Sequence, residues 1–206
     1  MARRSRRRMT LLLFEKGRDT VAMDLTGKLL IAMPSMGDPR FARAVVFMCA
    51  HSPEGAMGLI VNRRAEDISF ADLLDQLSIP RDADGPMPRV HLGGPVESGR
   101  GFVLHSGDFQ SSGSTLAVDD TFAMTATLDI LESIAQGRGP ARSLLALGYA
   151  GWGPGQIESE LQQNAWLVGD ADPALVFGDD IAGKWSAALA VLGIDPVVLS
   201  GAGGRA

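Results

Sequence analysis

Val45-Val46-Phe47-Met48-Cys49-Ala50-His51-Ser52-Pro53-Glu54-Gly55-Ala56-Met57-Gly58-Leu59-Ile60-Val61-Asn62 is an apolar run, a turn and a second apolar run. Proline, glutamate and glycine occupy the Ser52–Gly55 turn, so the spacing predicts a hairpin of two strands, Val45–His51 and Ala56–Asn62. Upstream, Gly27–Met33 is a short apolar run between glycine and proline and reads as a buried strand. Downstream, Ser69 with Asp72 three residues later forms a capping-box pattern. Phe70, Leu73, Leu74 and Leu77 then fall on one face of a helix.

Pro80–Pro88 reads as a loop. Val90–Leu92 and Gly101–His105 read as strands around the Gly93-Gly94-Pro95 turn, and Thr115–Val118 as another strand. Leu128, Ile130, Leu131 and Ile134 fit a helix that stops at Gly137. Ser143–Tyr149 reads as a buried strand and Gly155–Asn164 as a short helix begun after Pro154. Trp166–Val168 and Leu175–Phe177 read as short strands. A last helix, capped by Asp179 or Asp180, runs through Lys184, Trp185, Leu189 and Leu192 to Gly193. Hairpins mixed with helices, without regular βαβ alternation, favour α+β over a doubly wound parallel sheet.

The 206 residues suffice for a sizeable core, and no apolar run approaches the length of a membrane span. One cysteine makes no intramolecular disulfide, which fits a reducing, cytoplasmic setting. Arg3, Arg4, Arg6, Arg7 and Arg8 crowd the first eight residues, leaving 14 basic against 24 acidic side chains elsewhere. A body this acidic repels phosphates and argues against a broad nucleic-acid face. Residues 1–22 read as a basic, solvated leader or as a start placed ahead of Met9 or Met23, and 23–206 as a single domain. The leader fails as a secretory signal because Met9–Phe14 is too short an apolar stretch. As an arm for DNA phosphates it remains a third possibility.

Several chemistries lack their signatures. There is no P-loop, no Gly-x-Ser-x-Gly elbow, no dinucleotide fingerprint, no His-Glu-x-x-His and no Cys-x-x-Cys. Cys49 and His51, two apart on a strand, share a face and could form a nucleophile and base, or half a metal site. The apolar run around Cys49 instead favours a buried, inert thiol. His51 and His105 read as structural histidines, each bonding a backbone carbonyl. Asn62, Arg63 and Arg100 follow or precede strands and suit an anionic ligand through guanidinium forks; surface ion pairs are the plainer use. Gly148–Glu160 is the best candidate site. Its glycines free the backbone, Trp152 offers a flat surface, and a helix opens near Gly155. Glu158 and Glu160 disfavour a phosphate at that helix start, so a turn clamped by Trp152 and Trp166 is an equal reading.

Three glycine-punctuated phrases carry a resemblance. They are Gly55-Ala56-Met57-Gly58 with Asn62, Gly93-Gly94-Pro95 leading to Arg100-Gly101 and His105, and Gly151-Trp152-Gly153 with Gln156, Glu158 and Trp166. In order from about Leu25 to Ser200, the chain resembles the YqgE/AlgH family of bacterial proteins. The resemblance implies an α+β fold with a branched, mostly antiparallel sheet, part of it curled into a small barrel, flanked by helices. It also implies a regulatory protein, with no role assigned to the shared positions. Departures are Arg64 where proline is frequent, Ala44 where serine is usual, and Arg205 where a closing motif has histidine. The expectation is a cytoplasmic regulatory or binding protein without catalysis, cofactor or metal, recognising a protein partner or a small anionic ligand. Candidate positions are Asn62, Arg63, Arg100, His105, Trp152, Gln156 and Glu158. The alternatives are a hydrolase or metal-dependent enzyme built on Cys49, His51 and His105, and a DNA-binding regulator.

Overall fold

The computed structural model describes residues 23–81, 87–111, 114–196 and 199; the leader, Arg205 and the middle of the Pro80–Pro88 loop lie outside them. Nine strands form one mostly antiparallel sheet. They are β1 Lys28–Ala32, β2 Val45–Ser52, β3 Gly55–Ile60, β4 Val90–Leu92, β5 Val96–Ser106, β6 Thr115–Ala117, β7 Phe122–Thr125, β8 Ser143–Trp152 and β9 Trp166–Asp170. The helices are α1 Phe70–Gln76, α2 Leu128–Ala135, α3 Gln156–Gln162, α4 Pro173–Val176 and α5 Lys184–Val191.

The order is β6-β7-β5-β8-β3-β2-β1-β9, and the sheet branches at β8. Leu145–Leu147 of β8 lie between β5, antiparallel, and β4, parallel, while Ala150–Trp152 pair with β3. The glycine phrases make this branch possible. Gly93 donates to the Leu147 carbonyl and accepts from Ile60 N–H, both at 2.8 Å, tying β3 to β8. A Cβ at Gly93 or Gly94 would fall on the Gly148–Tyr149 backbone, and Gly148 itself sits at φ +71°. Only hydrogens fit between these chains.

Curling the sheet encloses one core and leaves two outside. The inner core runs from Leu29, Phe47, Leu59 and Val61 across to Leu104, Phe122 and Leu144, with Trp185 and Leu189 of α5 closing it. Phe47 on β2 meets Phe122 on β7 at a centroid distance of 4.7 Å, joining strands four places apart in the sheet order. Val46, Met48 and Ile60 face outward under α3, and Val90, Val103 and Leu145 pack against α1 and α2. The predicted α+β class, the branch and the barrel-like curl all stand.

The capping box of α1 forms as its pattern requires: Ser69 Oγ accepts from Asp72 N–H and Asp72 Oδ2 accepts from Ser69 N–H. Leu175–Phe177 is not a strand. Asp172 caps Ala174 N–H and Pro173 opens α4, so a helix start outweighs the local β propensity. The predicted last helix begins later than its proposed caps, at Lys184; Asp180 Oδ1 accepts from Gly183 N–H one turn earlier. β7 was not anticipated, because Phe122–Thr125 is four residues behind an aspartate turn.

Candidate functional site

Inner-face residues of the hairpin predict a continuous apolar wall, and at one end of the half-barrel that wall is open. The ends of β2, β3, β5, β7 and β8 ring a cleft of about 650 Å³. Its floor is Met57, Phe102, Met124 and Tyr149, which continue the inner core outward. Phe102 and Tyr149 meet edge to face at 5.6 Å. Gly151 leaves space for the Tyr149 ring, whose Cε2 lies 3.1 Å from where a Cβ would stand.

Local irregularity supplies the rim. Val96 pairs with Tyr149 but Gly101 pairs with Leu147, so residues 97–100 bulge out of β5 and are exposed. Glu97 adopts φ +48°, a left-handed conformation that costs a non-glycine residue about 1 kcal/mol. The bulge sets Glu97 and Arg100 on the lip. Arg100 Nη1 donates to Glu97 Oε2 at 3.1 Å, and its guanidinium lies 5.1 Å from the Phe102 centroid. Glu54, in the hairpin turn, lines the same cleft. Arg100 and Trp152, at the end of β8, both belong to the lining of this cleft.

The other expected site residues serve the scaffold. Asn62 Oδ1 accepts from Val45 N–H and its Nδ2 donates to the Arg43 carbonyl, both at 2.8 Å. Arg63 finds carbonyls rather than a carboxylate: Nη2 donates to Pro39 and Ala42 oxygens at 3.3 and 3.1 Å. Neither lines the cleft. On α3, Glu160 Oε2 accepts both indole N–H groups, from Trp152 at 3.0 Å and Trp166 at 2.7 Å, while Gln156 donates to Oε1 at 2.8 Å. The tryptophan clamp read from the sequence is present, and it buries the Trp152 ring on the outer face.

The Cys49–His51 pair does not form. Met48 pairs with Gly58 and Ala50 with Met57, so Cys49 is an extra, bulged residue. That insertion reverses the alternation: Cys49 stays in the inner core and His51 turns outward. Burial pushes the thiol up to about 12, which leaves it inert at neutral pH. His51 does not bond a carbonyl. Nδ1 accepts from Leu25 N–H at 3.2 Å, so the ring hydrogen is on Nε2, directed at Glu158 Oε1 2.9 Å away. Its own backbone N–H, and then His51, hold the Glu158 carboxyl below its usual range.

His105 is fully buried, donating from Nδ1 to the Ser106 carbonyl and accepting at Nε2 from Thr125 Oγ1. It shares no partner with His51. Burial lowers its pKa, and burial with nearby Lys184 lowers that of His91 to about 4. Lys184 was unforeseen as a core residue. Its ammonium donates to the Val61 and Val176 carbonyls, and burial lowers it to about 8. Among the described residues no cluster of His, Cys, Asp and Glu could hold a metal ion, and no helix is long and apolar enough to cross a membrane. The cleft floor was missed in the sequence. Its signals were the sole tyrosine beside Gly148 and the methionines at Met57 and Met124, each readable as core alone.

Comparison with known proteins agrees with this architecture. The family described as AlgH-like, DUF179, matches residues 29–197. A UPF0301 protein of Cereibacter sphaeroides is 60% identical over 184 residues, covering 89% of this chain and all of the relative. One from Ruegeria pomeroyi is 60% identical over 185 residues, with the same coverage. The solution structure of the AlgH protein from Pseudomonas aeruginosa superposes with a TM-score of 0.71 at 42% identity, over 92% of this chain and all of that one. A Corynebacterium diphtheriae protein, 19% identical, has a TM-score of 0.63 over 84% of this chain and 87% of its own, and shares the fold. On the profile match, the close relatives and the shared fold together, the chain belongs to the AlgH-like family.

Proposed function

We propose that the chain is a non-catalytic binding protein with a regulatory role in the cytoplasm, and that its site is the cleft at the mouth of the half-barrel. The observation that carries this reading is a division of labour. The apolar, aromatic cleft is open, whereas Cys49, His51 and His105, the groups proposed for nucleophilic or acid–base chemistry, are engaged elsewhere. Cys49 is sealed in the core, and both ring nitrogens of His51 and of His105 are bonded within the scaffold. A concave apolar site with a few polar groups at its edge is the usual form of a binding pocket. Arg100 is the candidate residue that remains at the lip; Trp152 supports the floor from behind.

A thermal-shift screen of the full chain against metabolites, nucleotides, divalent metals and short peptides tests this reading. A ligand that binds only the folded state raises the melting point. The expected hits lose their shift in Tyr149→Ala and Arg100→Ala, each judged against its own unliganded melting point. Sustained turnover of any hit by the purified protein contradicts the reading.

A further inference from the structure

The charges at the rim select the kind of occupant. Glu54, Glu97 and Arg100 stand there, and Arg100 is already matched by Glu97 and laid against Phe102. Among the described residues no ion pair engages Glu54. The lip is thus negative on balance, in a chain of net charge −5. A small anion would meet two carboxylates and would have to break an ion pair to reach the one guanidinium. A cation meets the Glu54 carboxylate, which no ion pair engages, and the Glu97 carboxylate lines the same cleft.

The walls point the same way. The half-buried Tyr149 ring offers an aromatic surface that attracts cations as well as aliphatic groups, while Phe102, buried beneath Arg100, backs it edge to face. Met57 and Met124 supply unbranched thioethers that adapt to varied side chains. The strained Glu97 conformation holds a carboxylate on the lip, and strain of this kind collects at ligand clamps. We infer that the cleft docks a segment of a partner protein in which arginine or lysine stands beside aliphatic side chains, the cation on Glu54 and Glu97 and the aliphatic groups on the methionine and aromatic floor. This rests on the cleft being the binding site.

The test is selection from a random peptide-display library on the full-length protein. Enriched sequences should share a basic residue flanked by aliphatic ones. Glu54→Gln should weaken their binding about threefold, the effect of one exposed charge pair. Met57→Asp should remove the enrichment, with an unchanged melting point as the control for folding. Where Met57→Asp lowers the melting point, Ala126→Trp, at a residue that lines the cleft and packs on the inner core, replaces it as the cleft-filling variant. Enrichment of acidic peptides, binding indifferent to Glu54→Gln, or no enrichment overturns the inference. Small-molecule shifts that depend on Tyr149 would still leave the cleft as a binding site in those cases, and their absence as well would remove both readings.

Discussion

At Gly148 a positive φ and a Cβ path blocked by the Gly94 and Val96 carbonyls coincide where β8 changes partners. Gly148→Ala should therefore cost about 3 kcal/mol or prevent folding, read as a lower denaturant midpoint. Buried titrating groups give a second consequence. His91 is lowered to about 4 from 6.5, so between those values the unfolded chain binds a proton that the folded chain refuses. Its contribution is whole above pH 6.5 and is lost as pH falls towards 4; His105, lowered by burial, acts in the same direction. Lys184 has the same sign at higher pH: its amine, lowered to about 8 from 10.5, adds stability as pH rises across that window. Comparing Lys184→Met with the parent chain, the difference in melting temperature should shift in the parent's favour between pH 8 and 10.

At the scale of elements, one carboxylate of α3, Glu160, satisfies two tryptophans of the sheet. Glu160→Ala leaves two buried indole N–H groups without an acceptor, and each such orphan costs about 1–3 kcal/mol. The measured fall in unfolding free energy should exceed 2 kcal/mol, and loss of less than half that would mean that water replaces Glu160. Local signals made α1, α2 and the hairpin legible from sequence, because capping, periodicity and turn residues are short-range. Three things were not legible for physical reasons. The bulge at Cys49 stands opposite Gly58 and Met57, a matter of register between strands that no local pattern displays. That single inserted residue separated the proposed Cys49–His51 pair. β7 is too short to show a period, and α4 arises from a cap and a proline inside an apolar run.

The whole molecule is a half-barrel whose two walls meet through aromatic rings. Phe122 touches both Phe47 and Phe177, so Phe122→Ala should cost about 3–5 kcal/mol and loosen the curl as well as β7. The same curl produces the cleft by holding β2 and β3 opposite β5 and β7 across β8. Of the candidate positions read from the sequence, Arg100 and Trp152 line the cleft, whereas Asn62, Arg63, Gln156 and Glu158 bond within the loops and α3. Methionine methyl groups report on the cleft directly, since Met57 and Met124 are two of nine in the chain. The decisive measurement is a ¹³C-methyl methionine NMR titration of the full-length protein with a peptide enriched in the selection. The Met57 and Met124 resonances should move together and saturate while the peptide is recovered chemically intact. Resonances that stay still while other methionines move, or a peptide consumed during the titration, would contradict a non-catalytic binding cleft at this site.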